Sequence, residues 1–194
     1  MKKIVYADYD EEGVYVYQAF KPSTVEIAVE KGTFGKGFGL DRTSWIKPSF
    51  GWVLHRTKYA TKNRMQAIAR IKITHQSFLQ ILQNSVEAHW QPNLFETEDQ
   101  WQTALKKADV VHQWDPERAI DGRPLDRQAI QLGLRAGILK SYVDEFIIKV
   151  ESATAIAHEM GALRKQRVPQ IPNPFNEREY ELSEELFRSL GCEN

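Results

Sequence analysis

The sequence predicts an α+β domain, in which strands and helices follow one another without a regular β-α-β rhythm. Two neighbouring stretches illustrate the mixture, one with the period of a strand and the other with the period of a helix. "MQAIARIKI" alternates apolar and other side chains with the period of two that is typical of a half-buried strand. "HQSFLQILQNSVEAHW" instead places Phe78, Leu79, Leu82 and Val86 on one helical face. We therefore expect a mixed or antiparallel split sheet with flanking helices.

The first half of the chain predicts alternating elements with clear boundaries. Two β-rich runs surround the turn cluster at residues 10–13, which indicates a hairpin. A short helix follows in "VEIAVEKG" and ends at Gly32. Residues 43–47 read as a strand that Pro48 stops, and Ser49 is a candidate cap for the next helix. Thr74 is the candidate cap of the helix that follows "MQAIARIKI".

The second half continues the same mixture. Its predicted strands are "DVVHQWD", "RQAIQLGL" and "FIIKV", and its predicted helices are "EDQWQTALKKA", "GILKSYVDE", "SATAIAHEMGALRKQ" and "SEELFRSLG". Ser152 and Ser183 are the candidate caps of the last two helices. We expect one α+β domain over residues 1–167 and a proline-spaced tail with a short C-terminal helix over residues 168–194.

Composition narrows the classes of partner and compartment. The chain has 26 basic and 26 acidic residues, so net charge gives no global argument for a nucleic-acid or membrane partner. Cys192 is the only cysteine, which excludes an intrachain disulfide and fits a reducing compartment. With neither a signal peptide nor an apolar run of membrane-spanning length in the sequence, we expect a cytoplasmic protein without a membrane partner.

The charges are distributed unevenly along the chain. No Asp or Glu occurs from Arg42 through Val86, and residues 43–64 carry five cations, namely Lys47, Arg56, Lys58, Lys62 and Arg64. Cations without local partners repel one another unless they face water, meet distant acids or bind an anion. One interpretation is a solvated basic face that the acidic first hairpin balances. The other is an anion pocket.

Two features favour the anion pocket. Aromatic residues, including Trp45 and Trp52, alternate with the cations and can stack on a base while the cations hold phosphate. Lys47-Pro48 also leads into a helix N-terminus, where free N–H groups attract anions. The alternative for Trp52 and the neighbouring Phe50 is burial in the core.

"HQWDPER" and "RQAIQLGL" contain the other candidate polar residues. Gln113, Asp115 and Arg118 lie near a predicted strand end, where functional side chains often lie on a rigid support. The structural alternative is a turn, with Asp115 accepting local backbone hydrogen bonds and Arg118 paired with Glu117 or Asp121. In the next strand Arg127 and Gln131 share one face, which we expect to meet polar groups.

Other chemistries have little support in the sequence. "GTFGKGFG" lacks the spacing of a nucleotide-phosphate loop, and no serine lies in a Gly-x-Ser-x-Gly elbow. The five histidines form no ligand pair at helical spacing, so we expect no metal. His55 is the best acid–base candidate because the adjacent Arg56 would lower its pKa.

Five segments in order, "VYQAF", "RTSWIKPSFGWVLHR", "YATK", "QWDPER" and "RQAIQLGL", resemble domain-of-unknown-function family 4291, which comprises small cytoplasmic proteins of bacteria and fungi. The resemblance covers roughly residues 4–161. His55 departs from the tyrosine that the family pattern commonly shows, which weakens it as a general catalyst. The order of elements also resembles the split sheet of ADP-ribosyltransferases. The positions that the resemblance implies are Gln18, Arg42, Trp45, Lys47, Ser49, Arg56, Lys62, Gln113, Trp114, Asp115, Arg118, Arg127 and Gln131.

The resemblance implies chemistry at RNA ends, joining or processing them without a nucleotide cofactor. Phosphate would then be held or activated by cations, with His55 as an acid–base candidate; the cations are Lys47, Arg56, Lys62 and Arg118. Trp45 would stack on a base, and Arg127 with Gln131 would orient the phosphate. One alternative is an ADP-ribosyl transferase that consumes NAD, with Glu145 or Glu151 as its glutamate. Another is a binding module for RNA or nucleotides. The sequence leaves the oligomeric state open.

Overall fold

The computed structural model describes residues 1–192, and its order of elements confirms the α+β class. The strands are β1 (Lys2–Lys3), β2 (Tyr6–Asp8), β3 (Gly13–Phe20), β4 (Ser44–Ile46), β5 (Ala67–Thr74), β6 (Ser85–Glu87), β7 (Val110–Arg118), β8 (Pro124–Leu134), β9 (Ile147–Ser152) and β10 (Glu177–Glu179). The helices are α1 (Pro22–Lys31), α2 (Phe50–Thr57), α3 (His75–Gln83), α4 (Glu98–Lys107), α5 (Ala136–Ser141), which continues as a π-helix over Tyr142–Phe146, α6 (Thr154–Lys165) and α7 (Glu184–Ser189).

The strands form three sheets. The largest has the order β1-β8-β7-β6, and β4 also pairs with β8. Because β7 runs antiparallel along one edge of β8, β1 and β4 share the other edge, each pairing with a different part of it. The second sheet is the antiparallel order β3-β5-β9, and the third pairs β2 with β10. One bridge between Tyr17 and Lys47 joins β3 to the end of β4.

Local signals in the sequence predicted the starts of most helices. The helix predicted to reach Val86 is wrong in its second half, because α3 ends at Gln83 and Val86 lies in β6, where it pairs with Val111. Ser49, Thr74 and Ser183 accept hydrogen bonds from backbone N–H groups in the first turns of α2, α3 and α7. Gly32 follows α1 in the left-handed conformation, at φ 73°. For α6 the N-cap is Ala153, and the predicted cap Ser152 lies one residue earlier and accepts from the Thr154 N–H at 3.4 Å.

The predicted first hairpin is wrong in its pairing. The turn at residues 10–13 forms, with the Asp10 N–H donating to the Gly13 carbonyl, but Tyr9 and Val14 make the one bridge across it. Beyond that bridge β2 pairs with β10, whereas β3 pairs with β5. The sequence analysis missed β10, because a three-residue strand among prolines has no periodicity of its own.

Two apolar cores hold the sheets and helices together. One lies around β3, β5, β8 and α3, and the other packs α2 and α6 against Tyr17 and Ile68. Residues from the proline-spaced segment join both, since Ile171 is buried in the second core and Tyr180, Leu186 and Leu190 in the first. Within residues 1–192, none of the helices is long and apolar enough to span a lipid bilayer.

Candidate functional site

Strand register brings polar residues from distant segments together. Trp45 pairs with Gly133 and Ile46 with Leu132, so Lys47, one residue further, lies beside Gln131. Gln131 in turn pairs with Gln113 on β7. Since directly opposed residues share a face of a sheet, these side chains form one polar row across β4, β8 and β7.

Buried hydrogen bonds fix the wall that β3 contributes. Gln18 donates from Nε2 to the Ser44 hydroxyl at 2.8 Å and accepts at Oε1 from the Tyr142 hydroxyl at 3.0 Å. The backbones of Tyr17 and Lys47 exchange two hydrogen bonds, at 2.7 and 3.1 Å. Lys47 is thereby held between the second sheet and the largest one.

These residues surround a cavity of about 590 Å³, called the central cavity below. Its walls come from β3, the segment before β4, β4 itself, α2, β7 and β8. The functional groups in its lining are cations, amides, one carboxylate and two indoles, contributed by Gln18, Arg42, Trp45, Lys47, Trp52, Arg56, Gln113, Asp115 and Gln131.

The charges in the central cavity are unbalanced. Among the ion pairs of residues 1–192, none involves Lys47, Arg42 or Arg56. Asp115 is the one carboxylate in the described lining. It accepts hydrogen bonds from the Gln113 amide at 3.1 Å and from the Gln131 amide. The local turn predicted for Asp115 is therefore wrong, and its carboxylate is held by side chains facing the cavity.

Lys47 has an unusual electrostatic environment. Burial and the positive charge of Arg56 together lower its pKa to about 8, even though the carboxylate of Asp115 acts in the opposite direction. A lysine with this pKa releases its proton more readily than an ordinary one. Lys47 can therefore donate or accept a proton near neutral pH.

A comparison with protein families identifies the family of this chain. A family model described as Domain of unknown function (DUF4291) matches residues 4–180. The chain belongs to the DUF4291 family. No curated protein matches the chain. Two of the sequences within the five segments that carry the resemblance, "WIKPSF" and "QWDPER", lie within the matched DUF4291 residues, and each contributes to the central cavity.

Several predicted site residues of this DUF4291 domain lie outside the central cavity. Ser49 is buried, caps α2 and donates its hydroxyl hydrogen bond to Glu117. Arg127 donates to the same carboxylate at 2.7 Å and stacks over the Tyr6 ring at 3.7 Å. Among the described cavities neither residue is part of a lining. The structure therefore places the Arg127 guanidinium on buried Glu117, apart from Gln131, which lines the central cavity.

The N-terminus of α2 in the DUF4291 domain is already occupied. The backbone N–H of Trp52 donates to the Ser49 hydroxyl, and the backbone N–H of Phe50 donates to the Glu177 carboxylate at 2.5 Å. The pKa of Glu177 is raised to about 8, mainly by burial and also by the negative charge of Glu117, while the hydrogen bond from the Phe50 N–H acts in the opposite direction. The expected anion site at this helix end is wrong, because the chain supplies its own acceptors there.

Three predicted site residues, His55, Lys62 and Arg118, do not line the central cavity. His55 and Lys62 line a neighbouring cavity of about 790 Å³, to which Trp52 and Arg56 also belong. Burial lowers the pKa of His55, and the charges of Arg118, Arg164 and Arg56 act in the same direction. Arg118 pairs with neither Glu117 nor Asp121, whose partners are Arg127 and Arg123. Its Nε is buried without an acceptor in the described part of the chain.

The acidic first turn does not neutralise the cations of residues 43–64. Asp8 pairs with Arg70 at 2.5 Å, and Asp10 pairs with Lys72 at 2.9 Å. Glu12 also pairs with Lys72. These acids therefore neutralise Arg70 and Lys72, which lie on β5 within the same acid-free segment. The interpretation that the acidic hairpin balances the basic residues holds for these two cations and not for those of residues 43–64.

Two glycines position the site, and the sequence analysis missed both. A Cβ at Gly133 would lie 3.1 Å from the Trp45 ring, so the missing side chain lets this indole lie across β8. A Cβ at Gly51 would lie 2.1 Å from the Arg118 carbonyl oxygen, so α2 can pack directly onto the end of β7. A glycine inside the apolar strand "QLGL" was the signal available for the first.

The glutamates expected for an NAD-consuming transferase lie away from both cavities. Glu151 pairs with Arg70 at 2.6 Å and with Lys149 at 2.7 Å, and Glu145 is exposed on the π-helix. Neither contributes to the lining of the cavities described above.

Proposed function

We propose that this DUF4291 domain acts on phosphate at RNA ends, joining or processing them without a nucleotide cofactor. The observation that carries the proposal is the convergence of Lys47, Arg42 and Arg56 on one cavity, with no carboxylate paired to them among the described residues. Cations placed around the equatorial oxygens of a phosphoryl group stabilise the charge of the transition state.

Asp115 and Lys47 supply a proton acceptor and a proton donor for this chemistry. Consider an RNA that ends in a 2′,3′-cyclic phosphate and a second RNA with a 5′-hydroxyl. The 5′-oxygen attacks phosphorus while its proton passes to the Asp115 carboxylate, and the bond from phosphorus to the 2′-oxygen breaks. The Lys47 ammonium protonates the leaving 2′-oxygen, and transfer of a proton from Asp115 to Lys47 then restores both groups.

No further co-reactant is needed for this step. The strained cyclic phosphate stores the energy of the new 3′–5′ phosphodiester, so the energy of ATP is not required. Water in place of the 5′-hydroxyl gives ring opening, which is end processing at the same site. Trp45 contributes a flat apolar face on which the terminal base can stack, and such stacking is worth about 1–3 kcal/mol per base.

The test is a gel assay with labelled RNA that ends in a 2′,3′-cyclic phosphate, with and without an RNA carrying a 5′-hydroxyl. Wild-type protein is expected to convert the end, and Lys47→Ala and Arg56→Ala are expected to abolish conversion. Lys106→Ala and Arg188→Ala are the matched controls, because both side chains are exposed and lie outside the described cavities.

Two outcomes would overturn the proposal. The first is that folded wild-type protein leaves every RNA end unchanged but releases nicotinamide from NAD, which is the transferase result. The second is RNA binding that falls steeply with salt and yields no product, which is the result for a binding module.

A further inference from the structure

A second cavity lies next to the central cavity on the side of α2. The two are neighbours because Trp52 and Arg56 line both. The second cavity, of about 790 Å³, is here called the α2 flank. Its lining contains the cations Lys58, Lys62, Arg164 and Lys165 but no Asp or Glu among the described residues.

Local backbone geometry fixes the cations of the α2 flank. Lys58, Tyr59 and Ala60 all have positive φ, at 52°, 58° and 58°, which is uncommon for residues other than glycine. The Tyr59 hydroxyl donates to the Ile120 carbonyl at 2.8 Å. A Cβ at Gly161 would lie 2.9 Å from the Tyr59 Cβ, so α6 packs directly against this ring. The left-handed turn therefore presents Lys58 and Lys62 from a rigid support.

A third cavity also adjoins the central one, through a different set of residues. Arg42, Ala19, Phe20 and Met65 line both of them, and none of these four lines the α2 flank. This cavity, of about 880 Å³, is here called the α1 flank. Its further cations are Lys21, Lys36 and Arg64, and again no acid lies in the described lining.

The glycine-rich loop forms part of the α1 flank. Phe34 is buried and stacks on Phe38 with ring centres 4.3 Å apart, and both rings contact Phe20 edge-on. Lys36 lies between these two phenylalanines in the chain and lines the cavity. Aromatic packing therefore anchors the loop on both sides of its lysine.

We propose that the α1 flank, the central cavity and the α2 flank form one groove for single-stranded RNA, with the reacting phosphate in the middle and a strand in each flank. The inference rests on the proposed function and makes it more specific. A single-stranded path combines a cationic wall with aromatic faces, and the groove has both, in Trp45, Trp52 and Phe20. An acidic protein segment needs the cations but not the aromatic faces.

The position of the two flanks favours joining over simple trimming. An enzyme that only trims an end needs nucleotides on one side of the phosphate. Two flanks that adjoin the central cavity through different residues can hold the strand that carries the phosphate and the strand that attacks it. Each flank is thus assigned to one of the two RNA ends, and the experiment determines which.

The test measures binding of three RNAs by fluorescence anisotropy at low salt. They are the strand ending in the cyclic phosphate, the strand with the 5′-hydroxyl, and the joined strand. The α2-flank variant is Lys58→Ala with Lys62→Ala, and the α1-flank variant is Lys21→Ala with Lys36→Ala. The control is Lys106→Ala with Lys107→Ala, since both side chains are exposed on α4 and outside the described cavities.

Each flank variant is expected to weaken one half-strand by roughly tenfold, which is the size expected when two lysine–phosphate contacts are lost at low salt. The other half-strand should stay within about twofold of its wild-type affinity, and the joined strand should weaken in both variants. Thermal unfolding checks that each variant is folded.

Two results would overturn the groove. One is that both flank variants weaken the same half-strand, and the other is that neither changes binding of any RNA. Failure of the proposed function gives a different pattern, in which binding depends on the flanks as expected while no RNA end is ever converted. An acidic protein partner corresponds to the case in which RNA binding ignores both flanks.

Discussion

Gln131 on β8 donates a hydrogen bond to the carboxylate of Asp115 on β7, and Gln113 donates to the same group at 3.1 Å. The two amides hold Asp115 without neutralising it. Its charge therefore faces the cavity that Lys47 and Arg56 also line. This arrangement gives a carboxylate and a lysine of lowered pKa that are fixed relative to each other, which acid–base catalysis requires.

Replacing the carboxylate by an amide tests its role as the proton acceptor. Asp115→Asn is expected to lower the rate constant of end conversion by about 10²- to 10⁴-fold, the usual contribution of a general base. RNA affinity should stay the same or rise, because a negative charge leaves a phosphate site. Single-turnover assays and anisotropy measure the two quantities. Asp126→Asn, at an exposed residue of β8, is the control, and an equal loss in both variants would exclude a specific role for Asp115.

Lys47 is expected to reduce the stability of the folded protein. Its pKa falls from 10.5 in the unfolded chain to about 8 in the folded one. Below pH 8 the charged ammonium group of Lys47 therefore destabilises the folded state relative to the unfolded chain. Lys47→Met should therefore raise the free energy of unfolding by about 1 kcal/mol at pH 7, since it removes a partly buried charge at similar volume.

The pH dependence of stability checks the sign of this effect. Between pH 8 and 10.5 the folded wild-type protein loses the Lys47 proton before the unfolded chain does, so its stability should rise toward that of Lys47→Met. Urea unfolding at several pH values measures this difference. A gap that stays constant from pH 7 to pH 10 would mean that the pKa of Lys47 is not lowered.

Gly133 is expected to control the position of Trp45. Gly133→Ala adds a Cβ that would lie 3.1 Å from the Trp45 ring and 2.9 Å from the Thr43 methyl group, so the indole has to move. RNA affinity should fall about fivefold or more, because a displaced indole loses base stacking. Trp45→Ala should have a similar effect, and the double variant little more than either. Additive losses would show that Gly133 and Trp45 act separately.

Arg127 is expected to be structural. Arg127→Ala leaves Glu117 buried without its cation, which should cost about 2–4 kcal/mol of unfolding free energy. The RNA affinity of the folded fraction should not change, because Arg127 lies outside the described cavities. Denaturant unfolding and anisotropy separate these effects. A variant that is fully stable but binds RNA tenfold less tightly would show that Arg127 contributes to RNA binding and not to stability.

Local sequence signals predicted most helix starts because a helix N-terminus depends on nearby residues. Ser49, Thr74 and Ser183 each bind an N–H three residues ahead, so the sequence carries the boundary itself. Strand partners have no such local signal. The pairing of β2 with β10 joins Tyr6 to Glu179, and nothing near Tyr6 in the sequence indicates it.

The candidate site was predicted in part for the same reason. The lack of acids around Lys47 and Arg56 is visible in the sequence, and so is the absence of nearby partners. Whether a distant acid meets a given cation depends on the fold. Arg127 finds Glu117 ten residues away and Arg70 finds Asp8 from another sheet, whereas Lys47 and Arg56 meet no such partner in the described chain. Only the three-dimensional structure separates these cases.

The most direct test of the account is a crystal structure of the protein with a short RNA that ends in a 2′,3′-cyclic phosphate, collected on an inactive Asp115→Asn variant. We expect the phosphate in the central cavity, with its oxygens accepting hydrogen bonds from Lys47 and Arg56 and the terminal base against Trp45. A phosphate bound elsewhere, with the Lys47 ammonium making no contact to it, would contradict the central claim.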